Sequence, residues 1–153
     1  MSDGGRHTLY TDGAALGNPG HGGAGAVLLD GSGGTVFEVG VYLGRATNNV
    51  AEYQGLILGV ERALAAGAVR LDIFMDSELV VRQLEGRYRV SSPALRILHR
   101  KALLALDRLE DWTASHVARA GNADADRMAG EAARRGRAGS LGVGEEIPAP
   151  PPA

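Results

Sequence analysis

Four acidic residues occupy positions at which carboxylates commonly bind metal ions. Asp12 and Asp76 each follow an apolar segment directly, and Glu52 and Asp126 each fall near the start of a segment with helical periodicity. Carboxylate oxygens are the ligands that Mg²⁺ prefers, and two such ions about 4 Å apart can activate a water and stabilise a leaving oxygen in phosphodiester hydrolysis. The four residues therefore predict a metal-dependent hydrolytic site, provided that the fold brings them together.

Each of these acids also has an ordinary structural explanation. An acid after a strand is often a turn former or a helix cap, and an acid in the first turn of a helix is favoured by the helix dipole. Asp124 competes with Asp126 for the position near the start of the last helix. The spacing by itself leaves that choice open.

Other hydrolytic and phosphate-binding chemistries find little support in the sequence. Cys is absent, which excludes thiolate catalysis and disulfides, and no Gly-x-Ser-x-Gly nucleophile elbow is present. The glycine-rich residues 17–23 lack the Lys-Ser/Thr ending of a P-loop and precede a predicted strand instead of a helix. The four His residues show no zinc-ligand spacing; they are His7, His21, His99 and His116. The alternation of residues 112–116 indicates a structural place for His116 on a strand.

Hydrophobic periodicity predicts the elements that must position these acids. The predicted strands cover residues 8–11, 24–29, 37–43, 69–75 and 112–117, and the predicted helices cover about residues 50–64, 78–84, 93–109 and 124–135. Candidate helix caps are Asn48 or Asn49, Ser77 and Ser92. The order β-β-β-α-β-α-α-β-α predicts an α/β fold with a mixed sheet covered by helices. In such a sheet ligands gather at the carboxyl ends of parallel strands, where Asp12 and Asp76 lie.

The length and composition of the chain limit the class of protein to which it can belong. A chain of 153 residues with 44% hydrophobic and 22% charged residues is typical of one globular domain, which we place at residues 1–136. Residues 137–153 are rich in Gly and Pro and are predicted to be a disordered tail or linker. No signal peptide or membrane-spanning run is evident, so a cytoplasmic location is expected. The formal net charge of −2 is unlike that of a typical nucleic-acid binder, although the segment from Arg82 to Lys101 is strongly basic.

Four motifs in order resemble the type 1 ribonuclease H family. They are TDGAALGNPGHGGAGAVL, ATNNVAEYQGL, MDSELVV and NADADRMA, and together they extend over about residues 8–135. The resemblance implies a ribonuclease H-like fold, with a five-stranded mixed sheet and helices on both faces. It also implies a metal-dependent endonuclease that cuts the RNA strand of RNA–DNA hybrids and leaves 3′-hydroxyl and 5′-phosphate ends. The expected cofactor is two Mg²⁺ ions, with Mn²⁺ as a substitute, and the expected state is a monomer.

The resemblance also implies roles for individual residues. Asp12, Glu52, Asp76 and Asp126 become the metal ligands, and Asp126 is preferred over Asp124 because the family acid follows the motif Asn122 by four positions. The implied substrate contacts are of three kinds: minor-groove contacts from Asn18, Asn48 and Asn49, close backbone approach at Gly13, and a DNA-phosphate pocket at Arg45 and Thr47. Asn18 and Asn48 are equally explained as a turn residue and a helix cap.

The sequence departs from the family pattern in two places. The loop at residues 118–121 has no His where many members carry one, and Arg119 is expected to take a related role, as in the short-loop archaeal-type branch. Residues 86–95 are too short for the basic helical protrusion of some members, and Arg87, Arg89 and the helix after Pro93 are expected to compensate in part. A non-catalytic nucleic-acid-binding module on the same fold is the alternative function, and a missing carboxylate would favour it.

Overall fold

The structure, a computed structural model, describes residues 6–149 as one five-stranded sheet flanked by four helices. The strands are β1 (Arg6–Gly17), β2 (Gly20–Leu29), β3 (Thr35–Ala46), β4 (Arg70–Met75) and β5 (Asp111–His116). The helices are α1 (Asn48–Ala65), α2 (Glu78–Leu84), α3 (Pro93–Leu106) and α4 (Ala123–Arg137), and a short 3₁₀ turn covers Arg119–Asn122. The predicted element order is confirmed.

The sheet is mixed, with the strand order β3-β2-β1-β4-β5. β1, β2 and β3 form an antiparallel meander, whereas β4 runs parallel to both β1 and β5. The parallel register pairs Tyr10 with Phe74, so Asp12 and Asp76 lie side by side, just beyond the last parallel pair of β1 and β4. The two acids are therefore neighbours, as predicted, but the prediction that Asp12 follows the first strand is wrong, because β1 continues past it to Gly17 in its pairing with β2.

Helices cover both faces of the sheet. α1 packs on β1 and β2 and also contacts α3, while α4 packs on β1, β2 and β3 from the opposite face. The main core lies under α1 and α3, and its largest fully buried side chains include Tyr53, Leu9, Leu28 and Leu56. No helix within residues 6–149 has both the length and the apolar character needed to span a membrane.

The first hairpin is longer than the sequence predicted. β1 continues to Gly17 and β2 begins at Gly20, so most of the glycine-rich segment is strand and only Asn18 and Pro19 form the tip. A methyl group at Gly23 or Gly25 would overlap the backbone of α4. These glycines therefore allow the helix to approach the sheet closely, and this is why a composition typical of turns occurs in a strand.

The structure also shows which residues cap and end the helices. Thr47 caps α1, with its hydroxyl accepting from the Val50 amide at 3.2 Å, so neither Asn48 nor Asn49 is the cap. Ser77 and Ser92 cap α2 and α3 as predicted. α3 ends at Leu106, three residues before the predicted end near residue 109, whereas α4 extends to Arg137.

The segment after α4 corrects the prediction of a disordered tail for the part that the structure describes. Leu141 is 7% exposed, and backbone hydrogen bonds join Gly144, Glu145 and Ile147 to β3. β3 is an edge strand with unpaired backbone groups, so a segment with few apolar residues can still be held by main-chain bonds. Residues 150–153 of the predicted tail lie outside the described residues, as do residues 1–5, and the domain boundary at residue 136 stays a prediction.

Candidate active site

The structure brings three of the predicted carboxylates into one cluster. Oxygen atoms of Asp12, Glu52 and Asp76 lie within 4.8 Å of one another. Asp12 is 3% exposed and Glu52 is 9% exposed, so the cluster is set into the protein and not displayed on its surface. Such spacing suits oxygen coordination of a divalent cation.

Two glycines allow α1 to bring Glu52 to Asp12. A methyl group at Gly13 would overlap the carbonyl of Ala51, and a methyl group at Gly55 would overlap the carbonyl of Asp12. The backbones of α1 and β1 are therefore in direct contact at the level of the cluster. The structure gives Gly13 a packing function that the sequence reasoning, which assigned it to substrate approach, had missed.

Asp126 approaches the same cluster from α4 on the other face of the sheet. Asn122, 1% exposed, donates from its side-chain amide to the Thr11 carbonyl at 3.0 Å, which ties the start of α4 to the strand beside Asp12. Asp126 lines the cleft, whereas Asp124 has a side chain that is 68% exposed and pairs with Arg127 at 3.6 Å. The geometry thus distinguishes the two acids that spacing left open.

The pKa values of Asp12 and Glu52 are shifted upward. Burial raises the pKa of Asp12 above its ordinary value, and the negative charges of Glu52 and Asp76 add to the effect. Burial also raises the pKa of Glu52, although hydrogen bonds with the Asp12 side chain and with the Gly13 amide oppose the shift. Crowded carboxylates disfavour the ionised form, and a cation among them would reverse this preference.

The donor set fits a hard divalent cation. Oε2 of Glu52 is buried and has no hydrogen-bond partner, which is costly for a carboxylate oxygen. A metal ion bound by this oxygen, together with those of Asp12 and Asp76, would satisfy it. The remaining ligand positions would be open to water and to substrate oxygens, because the cluster forms the floor of an open cleft of about 590 Å³.

The substrate residues predicted from the family pattern lie around this cleft to different extents. Gly13 and Asn48 line it directly. The side chain of Asn18, at the hairpin tip, accepts from the Asn48 amide at 3.0 Å and so joins the tip to the start of α1. Two further predicted contacts, Arg45 and Asn49, are exposed on the adjoining surface and are not part of the cleft wall.

Arg119 lies at the mouth of the cleft in the 3₁₀ turn before α4. Its guanidinium is 3.4 Å from Oδ1 of Asp126, and its side chain is 79% exposed. His116 is exposed at the end of β5 and does not line the cleft. Among the described residues, Arg119 is therefore the polar side chain that the loop preceding α4 contributes to the site.

Comparison with known proteins places the whole arrangement in one family. A family model described as reverse transcriptase-like matches residues 10–132. Ribonuclease HI of Halobacterium salinarum is 45% identical to the chain, over 84% of this chain and 65% of the relative. The crystal structure of ribonuclease H1 from this archaeon has a TM-score of 0.82 at 44% identity, over 84% of this chain and 97% of that one. The chain belongs to the ribonuclease H family.

Two further ribonuclease H structures are similar to the chain. The N-terminal ribonuclease H domain of Rv2228c from Mycobacterium tuberculosis has a TM-score of 0.81 at 40% identity, over 83% of this chain and 98% of that one. LC11-RNase H1, solved in complex with RNA/DNA hybrid, has a TM-score of 0.81 at 38% identity, over 86% of this chain and 99% of that one. The chain spans 65% of the length of the curated Halobacterium relative and 34% of the bifunctional protein Rv2228c.

Three residues that line the cleft were not predicted from the sequence. Arg127, Gly130 and Arg134 line its wall along α4, and none was selected from the sequence. Gly130 and Arg134 follow Asp126 at intervals of four residues, the spacing of one helix face. That periodicity was the signal that could have found them.

Proposed function

We propose that the chain is an endonuclease that hydrolyses the RNA strand of RNA–DNA hybrids and leaves 3′-hydroxyl and 5′-phosphate ends. The buried cluster of Asp12, Glu52 and Asp76 in an open cleft is the observation that carries the proposal. It is supported by the likeness to LC11-RNase H1, which was solved with an RNA/DNA hybrid. All four carboxylates come from a single chain, so a monomer suffices for the reaction.

The four carboxylates would hold two Mg²⁺ ions, for which Mn²⁺ could substitute. When bound, these ions would supply an activated water and charge stabilisation for the leaving oxygen. The chain's own part is to fix the ligand oxygens on β1, directly after β4 and on two helices before substrate arrives. A rigid ligand set of this kind lowers the reorganisation needed during the reaction.

Arg119 would serve phosphate binding and not proton transfer. A guanidinium stays protonated at any physiological pH, so it cannot act as a general base or acid. Its position 3.4 Å from Asp126 at the cleft mouth suits contact with the phosphate of the cleaved strand. This is how the site would operate without the His that many family members carry in this loop.

The surface beside α1 would recognise the hybrid. Thr47 already accepts from the Val50 amide, but its hydroxyl hydrogen remains free to donate to a DNA phosphate near Arg45. Asn18 and Asn48, joined at 3.0 Å, and the adjacent Asn49 would face the minor groove, where 2′-hydroxyls distinguish RNA from DNA.

A cleavage assay with matched carboxylate variants tests the proposal. Wild-type protein should cut the RNA strand of a labelled hybrid in Mg²⁺ or Mn²⁺ and should be inactive in chelator. We expect Asp12→Asn and Asp76→Asn each to lower the rate at least about 100-fold with the fold unchanged, because each removes a metal ligand. Asp107→Asn changes an exposed acid after α3, outside the cleft, and should leave the rate unaltered. Near-normal cleavage by either site variant would contradict the assignment.

Duplex RNA and duplex DNA complete the assay. If the 2′-hydroxyl of one strand is recognised together with a DNA partner strand, cleavage should be confined to the hybrid. Wild-type protein that binds the hybrid but does not cut it with either metal would favour the alternative of a non-catalytic binding module.

A further inference from the structure

Three arginines line the α4 side of the cleft, and they differ in their ion pairs. Arg119 pairs with Asp126 at 3.4 Å, and Arg127 pairs with Glu38 at 3.1 Å and with Asp124 at 3.6 Å. Arg134 forms no ion pair with any carboxylate in residues 6–149, and its side chain lines the cleft. Its charge is therefore available to a ligand in the cleft.

Gly130 leaves room for that charge beside α4. The guanidinium of Arg134 lies over Gly130, where an added methyl carbon would be 2.9 Å from Nη1. Gly130 follows Asp126 by four residues, and the helical rise places it about 6 Å further along α4. The arginine folds back along its own helix towards the carboxylates, so its charge lies about one helical turn from Asp126.

Small residues of β1 line another part of the cleft wall. Beyond Asp12, β1 contributes Gly13, Ala14, Ala15 and Leu16 to the lining. The first three have at most one methyl group each, so the backbone of a ligand can lie close to this part of the strand. Arg134 therefore lines the same cleft as a strip along which an extended chain could continue from the carboxylate cluster.

We propose that Arg134, held over Gly130, forms a phosphate subsite that binds a backbone phosphate next to the one that is cleaved. A guanidinium donates paired hydrogen bonds that match phosphate oxygens, and it remains charged. The inference rests on the proposed hydrolysis of RNA–DNA hybrids and adds a substrate contact to it. Arg134 acts in binding and does not touch the reacting atoms.

Steady-state cleavage of a hybrid by Arg134→Gln tests this subsite. We expect KM to rise about tenfold with kcat nearly unchanged, because one charge-assisted contact is lost from ground state and transition state alike. The dependence of log KM on log salt should become shallower by about 0.9, the value for one phosphate contact. Arg134→Lys should recover part of the lost affinity, since the charge remains.

Arg137→Gln is the matched control. Arg137 lies in the same last turn of α4 and is exposed, but it does not line the cleft. The variant removes an equal charge from the same helix end, so it reports any effect of net charge or of the helix dipole. We expect its KM and salt dependence to equal those of the wild type.

Gly130→Ala tests the same subsite without removing the charge. The methyl group must displace the guanidinium, while alanine in place of glycine favours the helix. We therefore expect KM to rise as the melting temperature stays level or increases. In the Arg134→Gln background the same change should raise KM no further, because the two variants act on one contact.

The outcomes separate this inference from the proposed function. Wild-type protein that cuts no hybrid contradicts both. Wild-type cleavage together with equal KM values for Arg134→Gln and Arg137→Gln overturns the phosphate subsite alone. Additive effects of Gly130→Ala and Arg134→Gln would also overturn it, because they would show that the methyl group acts by filling the cleft.

Discussion

Gly13 has no side chain, and this allows Glu52 to reach Asp12. A methyl group at residue 13 would overlap the Ala51 carbonyl, so β1 and α1 can touch only if this position is glycine. The next turn repeats the contact, with Gly55 against the Asp12 carbonyl. Close backbone approach at these two points sets the distance between two of the carboxylates.

Gly13→Ala should therefore weaken both the fold and the site. We expect the free energy of unfolding to fall by about 1–3 kcal/mol, since an added carbon in a packed contact forces the helix to move. Cleavage should fall as well, because Glu52 moves with α1. Urea unfolding and hybrid cleavage measure the two effects.

Gly121→Ala is the control for that change. The nearest atom to an added carbon at Gly121 is Cβ of Val117 at 3.8 Å, which is an ordinary contact. Its unfolding free energy and cleavage rate should be close to those of the wild type. Equal stabilities for the Gly13 and Gly121 variants would show that α1 does not depend on this close approach.

At the scale of the element, the segment after α4 closes the exposed edge of the sheet. Gly144 donates to the Tyr42 carbonyl at 2.7 Å, and Ile147 donates to the Gly40 carbonyl at 2.8 Å. Leu141 and Ile147 pack with Tyr42 and Ala132 in a small second core. The segment thereby joins β3 to α4, and α4 carries Asp126.

Leu141→Ala should destabilise the protein by about 2 kcal/mol, because it removes a buried side chain and leaves a cavity beside α4. Val143→Ala is the matched control: its side chain is 72% exposed and should cost less than about 0.5 kcal/mol. Chemical denaturation compares the two. Equal losses would mean that the segment contributes little to the stability of the folded chain.

At the scale of the whole molecule, the buried carboxylates make stability depend on cations. The pKa values of Asp12 and Glu52 are raised, so the folded chain binds protons more tightly than the unfolded chain does. Without metal, stability therefore falls as pH rises above the ordinary carboxyl range. A bound cation replaces those protons and removes the penalty.

Mg²⁺ should accordingly raise the melting temperature. At a concentration about 100 times the dissociation constant, binding stabilises the fold by about 2.7 kcal/mol, or roughly 5–10 °C for a chain of this size. The increase should be larger at pH 8 than at pH 5. Calorimetry in chelator and in Mg²⁺, at matched ionic strength, measures it without any cleavage assay.

The same carboxylate variants serve here as controls. Asp76→Asn should lose most of the increase in melting temperature, whereas Asp107→Asn should retain it. A wild-type melting temperature that does not respond to Mg²⁺ or Mn²⁺ would contradict the metal site, whatever the cleavage assay shows.

The sequence by itself determined the order of the elements and the acids that could form a cluster. A hydrophobic period of 2.0 or 3.6 residues shows which face of a strand or helix is buried, and this pattern is contained in the sequence of each element. The predicted strand ends put Asp12 and Asp76 together, because parallel strands present their carboxyl ends at one edge, although β1 itself continues past Asp12 to Gly17. Glu52, and the preference for Asp126 over Asp124, depended on the family motifs.

Only the tertiary structure decided the features that depend on residues far apart in the chain. Gly13 against Ala51, Gly25 against Ala125, and the segment after α4 against β3 are contacts of this kind. Glycine has the same composition signal in a turn as in a close-packed strand, so its meaning depends on what approaches it. Arg134 is a further example. Its charge is available to a ligand in the cleft because it forms no ion pair with the described carboxylates, which its place in the sequence does not show.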